Sequence, residues 1–502
     1  MPPPPGTRLG AVPRSGGTVE FRVWAPEAER VDLRIGGESH ALAREGGGTW
    51  ATTVRAAPSD DYTYVLEGER ELPDPCSRFQ PQGVLGPSRV VELPKSTRLG
   101  LAPDELVVYE LHVGTFSDEG TFDGVVSHLA ALRALGVTAI ELMPVATFPG
   151  DHGWGYDGLY VYATHAAYGG PEGLSRLVEA AHGEGLGVIL DVVYNHLGPG
   201  SDALIAFGPY LTGRHVTDWG EGLDFSHQPV REWAIQNALQ WVEDFGIDGL
   251  RLDAIHAIRD ESPRNVLAEL ADRVHAAAPG ALVIAETFPG DERPQAEWGH
   301  DARWDDGLHH ALHAALTGER EGVYSPYGTV EAVARELRAD DVAFRIACAQ
   351  DHDQIGNRAF GDRLPPELLH VASSVVLFST QTPLLFMGEE YGETSPFRFF
   401  CDHIDPAAAR ATRDGRKREF AAYAAFARAD VPDPQDPETF RRSKLSRRET
   451  PGIRDHYRRL LQLRRTLPRE MWVETEGNIL TMRRGEARLV VDFDTKTAEL
   501  RA

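Results

Sequence analysis

The chain has 502 residues, more than one compact domain usually holds, and 42% of them are hydrophobic, enough for a large core. A formal net charge of −25 repels nucleic acid and anionic membranes and suits a neutral substrate, with a well-solvated acidic surface as the plain alternative. Three cysteines (Cys76, Cys348 and Cys401) with no CxxC pattern argue against a disulfide framework and for a reducing compartment.

The N-terminus, Met1-Pro-Pro-Pro-Pro-Gly6, has neither a charged n-region nor an apolar h-region, so no signal peptide is expected. No apolar run reaches the roughly 18 residues of a spanning helix. A cytoplasmic protein without membrane or nucleic-acid partners is therefore expected. Residues 1 to 15 are rich in Pro and Gly and read as disordered. Short alternating segments follow at Glu20–Trp24, Val31–Ile35, Thr49–Val54 and Tyr62–Leu66, separated by Gly-rich turns, which reads as a small β-sandwich. The Pro- and Gly-rich stretch Pro73–Pro87 is expected to drape onto the next domain.

From Leu106 the pattern becomes strand then helix, repeated. Strands are expected at Leu106–Leu111, Ala139–Met143, Val188–Val193, Gly249–Asp253, Leu282–Ala285, Ala302–Trp304, Phe344–Ala349 and Pro383–Met387. Thr121 caps a helix running to Leu135 and stopped by Gly136, Pro171 opens one to Glu184, Pro229 one closed by Gly246, and Ser262-Pro263 another. Such alternation points to parallel strands with helical crossovers, an α/β chain built on a (β/α)8 barrel. Gly153–Tyr168, dense in Gly, Tyr and Trp, reads as a binding loop. Ala429–Leu445 reads as an irregular excursion, Ile453–Leu467 as an amphipathic helix, and Trp472–Arg501 as strands turning at Arg484-Gly485. The expected domains are a sandwich over 1–95, a catalytic barrel over 96–450, and a helix with a small β-domain over 451–502.

Four stretches end an apolar run in acids or histidines: Asp191-Val-Val-Tyr-Asn-His196, Gly249-Leu-Arg-Leu-Asp-Ala-Ile-His256, Ile284-Ala-Glu286 and Gln350-Asp-His-Asp353. In a barrel, groups at the C-terminal ends of successive strands converge on one pocket. Asp253, Glu286 and Asp353 could then face one scissile bond. Glycoside hydrolysis needs two carboxylates about the sugar bond, and extra negative charge helps its oxocarbenium-like transition state. Asp253, two residues after Arg251, suits a nucleophile: the two share a strand face, so the guanidinium can hold the carboxylate ionised. A strand-end salt bridge is the bland reading. Glu286, behind Val283-Ile284-Ala285, suits a general acid whose pKa is raised by apolar walls; a capping glutamate is its plain alternative. A metal-dependent barrel hydrolase using Asp191, His196, His256, His352 and Asp353 is the rival chemistry, without an HxH or HExxH pattern behind it. Structural and rim roles stand side by side for His309-His310.

The four clusters resemble the four signature regions of the α-amylase family, glycoside hydrolase family 13. That resemblance implies Asp253 as nucleophile, Glu286 as acid/base and Asp353 as transition-state stabiliser. Arg251, His196, His256 and His352 would bind substrate, Asp191 would support the pocket, and Tyr156 in Gly153-Trp-Gly-Tyr-Asp157 would stack on the sugar. No metal and no cofactor is implied. Phe21-Arg-Val-Trp-Ala-Pro26 resembles the sandwich carried by branching, debranching and trehalose-releasing members. Tyr109-Glu-Leu-His-Val-Gly-Thr-Phe116, Trp304-Asp-Asp-Gly-Leu-His-His310 and Leu384-Leu-Phe-Met-Gly-Glu-Glu-Tyr391 narrow the resemblance to the trehalose-releasing members. Pro73-Asp-Pro-Cys-Ser-Arg78 and Val431-Pro-Asp-Pro434 do the same. The implied substrate is maltooligosyltrehalose, with related α-glucans, and the implied pathway neighbour is a maltooligosyltrehalose synthase. Branching or debranching of glucans is the alternative within the family. Three departures stand out: Asp351 where the family usually has Asn, a short 327–344 segment, and a short C-terminal domain. If the strand conformation continues that far, Asp351 is expected to share a face with Asp353 and raise the pKa of Asp353 and Glu286, unless it pairs with Arg358.

Overall fold

The computed structural model describes residues 7–217, 219–339, 345–421 and 431–501. Eight parallel strands close into a barrel in chain order: Val108–Leu111, Ala139–Leu142, Gly187–Val192, Gly249–Leu252, Leu282–Glu286, Ala302–Trp304, Arg345–Cys348 and Thr382–Phe386. All eight lie where the sequence places them, with ends shifted by a residue or two; Phe344 is outside the described residues. The barrel is filled in layers. Val108, Ala139, Ile189, Leu282, Ile346 and Leu384 belong to one buried apolar cluster. One pleat further along their strands, on the same face, come Glu110, Glu141, Asp191 and, after Gly249, Arg251. The alternation that packs the floor of the barrel therefore aims charged groups at its C-terminal mouth.

The helices cover the outside. Gln228–Leu239 and the π-turn Gln240–Asp244 bury Val230, Trp233, Ala234, Ala238, Trp241 and Val242. Gly246, at φ +71°, ends this stretch, and a side chain there would strike the Ser96 backbone. The helix expected over 122–135 is two: Phe122–Val126, capped by Thr121 Oγ1 accepting from Gly124 N, and Leu129–Leu135. The helix assigned to Ser262-Pro263 begins later, at Val266. Asn265 caps it, and Asp260 accepts from the amides of Ser262 and Val266, so the preceding turn is tied by side chains rather than by helical bonds.

Two antiparallel sheets form the N-terminal sandwich, one of four strands and one of five. The expected disorder over residues 1–15 does not extend to Gly10–Arg14, an edge strand paired with Thr18–Trp24. Gly16 and Gly17, at φ +82° and +72°, make the turn between them, and an edge position tolerates Pro13. Pro73–Pro87 does drape onto the barrel: Trp233 Nε1 donates to Pro75 O at 3.3 Å and Tyr160 Oη to Val84 O at 3.0 Å. Within the 429–445 excursion the described part is not wholly irregular, because Asp436 caps a short helix at Pro437–Arg442. The loop 153–168 includes a strand, Tyr160–Thr164, paired with Ala146–Thr147. The helix Ile453–Arg464 leads to a four-stranded antiparallel sheet over Trp472–Arg501. Among the described residues no helix is long and apolar enough to cross a membrane. All three cysteines are free and buried.

Candidate active site

Arg251, with no exposed surface, is the centre of the barrel mouth. Its Nη1 reaches Asp191 Oδ2 at 2.7 Å and Asp253 Oδ1 at 2.9 Å. Its Nη2 lies 2.8 Å from Glu286 Oε2, an ion pair without an aligned hydrogen bond. The guanidinium also rests on the face of Trp304, 4.3 Å from the ring centroid. One cation thus brings together carboxylates from the third, fourth and fifth strands. Breaking a buried arrangement of this kind by deleting one partner costs about 3–5 kcal/mol, because the remaining charges stay buried.

Asp253 is further fixed by Asn195, whose amide donates to its backbone oxygen at 2.9 Å and to Oδ2 at 2.8 Å. Glu286 keeps 19% of its side chain open to the cleft. Burial pushes its pKa up, with Arg251 opposing and Asp253 reinforcing. Ala254 adopts a left-handed conformation, φ +41° and ψ +50°, and its amide donates to Glu286 Oε2 at 2.7 Å. Asp191 is pushed up to about 7 by burial, against the pull of Arg251.

The fourth cluster meets the other three through Tyr156. Its hydroxyl donates to Asp191 Oδ2 at 2.6 Å and lies 2.8 Å from His352 Nε2, and its ring stacks on His352 with centroids 5.2 Å apart. Burial works against charging His352, but Asp353 and Glu110 outweigh it and hold the imidazolium well above the usual range. His352 Nδ1 bonds Glu110 Oε1, and its amide donates to Glu110 Oε2 at 3.1 Å. Asp353 faces the cleft with a third of its side chain exposed, 3.4 Å from His352 Nε2 and accepting from Asn357 at 2.9 Å. His196 bonds Asn195 and stacks on Trp219 at 5.4 Å; His256 lies against Phe288 at 4.1 Å. Trp219 and Phe288 are both largely exposed.

All nine candidate site residues therefore gather at the C-terminal mouth, with His196 and His256 flanking the Arg251 centre rather than touching it. Two acids went unremarked in the sequence. Glu110 orients His352, and Glu141, with both carboxyl oxygens unpaired and buried, is pushed well up by burial and by Glu110. Their signal was present: each lies two residues from an apolar core residue on a strand, hence on the interior face. Asp351 does not extend the seventh strand, which ends at Cys348. It caps the helix His352–Gly356, accepting from Gln354 N at 2.8 Å and from Cys348 Sγ at 3.2 Å. Arg358 pairs instead with Asp362 and Glu319. His309 bonds Ala349 O and is buried with His310 and His313 against Tyr324, a packing role. Among the described residues no three His, Cys, Asp or Glu side chains gather so as to hold a metal ion.

Residues 92–206 match the α-amylase catalytic domain model, and residues 8–78 match carbohydrate-binding module 48, the isoamylase N-terminal domain. A malto-oligosyltrehalose trehalohydrolase of Saccharolobus solfataricus is 38% identical over 96% of this chain and 92% of its own length. The enzyme of that name from Rhizobium sp. (strain M-11) is 40% identical over 97% of this chain and 89% of its own. The chain belongs to the malto-oligosyltrehalose trehalohydrolase family. A crystal structure of a candidate α-amylase from Salmonella typhimurium superposes with a TM-score of 0.87 at 36% identity, covering 96% of this chain and 92% of that one. The trehalohydrolase fold is thus a sandwich, an eight-stranded barrel and a C-terminal sheet in one chain.

Proposed function

We propose that the chain hydrolyses the α-1,4-glucosidic bond next to the terminal trehalose of maltooligosyltrehalose, releasing trehalose and a shortened maltooligosaccharide with retention at the anomeric carbon. The observation that carries this reading is Arg251 holding Asp253 and Glu286 together at the barrel mouth. A double displacement needs two carboxyl groups beside one bond, a nucleophile and an acid/base, and Arg251 brings such a pair together here.

In the first step an oxygen of Asp253 attacks the anomeric carbon as Glu286 protonates the departing glucosidic oxygen, so trehalose leaves whole and a glycosyl ester remains on Asp253. In the second step Glu286, now ionised, takes a proton from water, whose oxygen displaces Asp253 from the opposite side. Arg251 and Asn195 hold Asp253 aimed, donating to Oδ1 at 2.9 Å and to Oδ2 at 2.8 Å. The raised pKa of Glu286 keeps its proton available for the first step. Asp353, open to the cleft beside the His352 imidazolium, faces the positive charge that develops on the sugar ring. Tyr156 offers its ring to that sugar and Asp191 holds its hydroxyl. A synthase that converts the reducing end of a maltooligosaccharide to a trehalose unit would supply the substrate.

The test is to incubate the protein with maltooligosyltrehalose and, separately, with maltoheptaose, and to follow the fresh products by NMR. Trehalose and an α-configured maltooligosaccharide from the first, with little change in the second, are expected. Longer or branched chains would favour transglycosylation, and an initial β product would overturn the retaining mechanism.

A further inference from the structure

At the opposite, N-terminal end of the barrel lies a cavity of about 390 Å³. Its walls carry five arginines, Arg133, Arg464, Arg465, Arg469 and Arg484, against two carboxylates, Asp104 and Glu105. This concentration of positive charge occurs in a chain whose net charge is −25. The arginines come from three separate parts of the molecule. Arg133 is on the helix Leu129–Leu135, Arg464 closes the helix Ile453–Arg464, and Arg484 ends the strand Ile479–Arg484.

Part of the cluster has an internal explanation. Arg464 donates to Leu377 O at 3.1 Å and Ser379 O at 2.6 Å, and Arg484 to Phe378 O and Ser379 O at 3.1 and 3.0 Å. These two guanidiniums cap the helix Pro366–Phe378, whose last carbonyls they satisfy. Neither meets a carboxylate among the described residues. Burial first and the neighbouring arginines second lower Arg464 to about 9 and Arg484 to about 10. The outer three arginines are not needed for capping. Arg469 pairs with Asp104 at 2.7 Å, Arg465 makes one long contact to Gly136 O at 3.4 Å, and Arg133 is exposed. The lining thus presents guanidinium N–H groups from several elements to a space larger than one anion needs.

We propose that this cavity binds the phosphate group of a phosphorylated small molecule, such as a sugar phosphate. Planar guanidiniums converging from different elements suit phosphate oxygens, which they meet with paired charge-assisted bonds. The cavity volume lies within the range of small-ligand sites, leaving room for the rest of an ester beside its phosphate. The bound anion would join the barrel floor to the C-terminal sheet and stabilise the native chain by mass action.

Thermal denaturation of the full chain, at ionic strength held constant with chloride, tests this with inorganic phosphate and glucose 6-phosphate as probes. A saturable rise in Tm is expected with both, at lower concentration for the ester. An Arg133→Ser/Arg465→Ser variant should need at least about tenfold more of either probe, while its hydrolysis of maltooligosyltrehalose without probe stays at the wild-type rate. Saturation by inorganic phosphate alone would keep the anion site and reject the ester. No response beyond that of chloride would overturn the proposal, as would equal responses in wild type and variant. Arg469→Ser gives an independent check, since it removes a guanidinium that caps no helix.

Discussion

Arg251 holds three carboxylates, so the roles of its partners should separate cleanly by substitution. Asp253→Asn removes the attacking oxygen and Glu286→Gln the transferable proton. Each should lower kcat by about 10³-fold or more with maltooligosyltrehalose, while far-UV circular dichroism stays native. Near-normal turnover in either variant would end the assignment. Most of these side chains were legible because each sits one residue inside or after an apolar strand. The role expected of Asp351 requires the strand to continue to 353, but the chain turns into a helix at His352. Its pH effect therefore belongs to stability. Burial first, then Glu110, raises Asp351 from 3.8 to about 7 in the folded state. Between about pH 4 and 7 the unfolded chain ionises this carboxyl and the folded chain does not, so its contribution to stability is lost as pH rises. Asparagine keeps the capping oxygen and has no such loss. Asp351→Asn should raise Tm by a few degrees at about pH 8 and change it little at about pH 4. The alkaline limbs of kcat/KM should superpose, because burial, Arg251, Asp253, the Ala254 amide and His352 dominate the environment of Glu286. A shifted limb would restore the direct electrostatic role that the sequence suggested.

At the scale of elements, strand positions were legible and local turns were not. Period-two alternation marks a strand whatever lies around it. The break at Ser127-His128 and the Asp260-tied turn before Val266 depend on side-chain bonds that no periodicity records. Ala254 is the sharpest case. Nothing in Leu252-Asp253-Ala254 announces a left-handed residue, yet that conformation aims its amide at Glu286. A left-handed non-glycine residue costs roughly 1–2 kcal/mol. Ala254→Gly should therefore leave kcat within a few-fold of wild type, since the N–H survives, and stability unchanged or slightly higher. Ala254→Pro, fixed at negative φ and lacking the N–H, should lower kcat at least about tenfold. Equal kinetics for the two variants would show that the amide does not matter to Glu286.

At the scale of the whole molecule, the order of sandwich, barrel and C-terminal sheet followed from changes in sequence period, but of their docking only the draped Pro73–Pro87 stretch did. Alternation shows which side of a strand is buried, not what covers it. The structure supplies the cover. Trp24 of the sandwich meets Tyr210 edge to face at 5.2 Å, and Tyr210 in turn meets Trp233 of a barrel helix at 5.8 Å. Arg8 pairs with Asp244 and Glu243, and Leu9 N donates to Gln236. Tyr210 and Trp233 are essentially fully buried. Each such side chain buries about 150–250 Å², or roughly 4–6 kcal/mol at about 25 cal/mol per Å². Exposing even half of that at two positions would consume much of the roughly 5–15 kcal/mol that holds a native chain together. The sandwich and barrel should therefore unfold as one unit. Calorimetry should give a single endotherm, and Trp24→Ala, confined to the sandwich, should lower the Tm of the entire peak. A second endotherm that stays at the wild-type temperature in Trp24→Ala would mean that the barrel stands without its sandwich, and that the buried aromatic contacts between them contribute little.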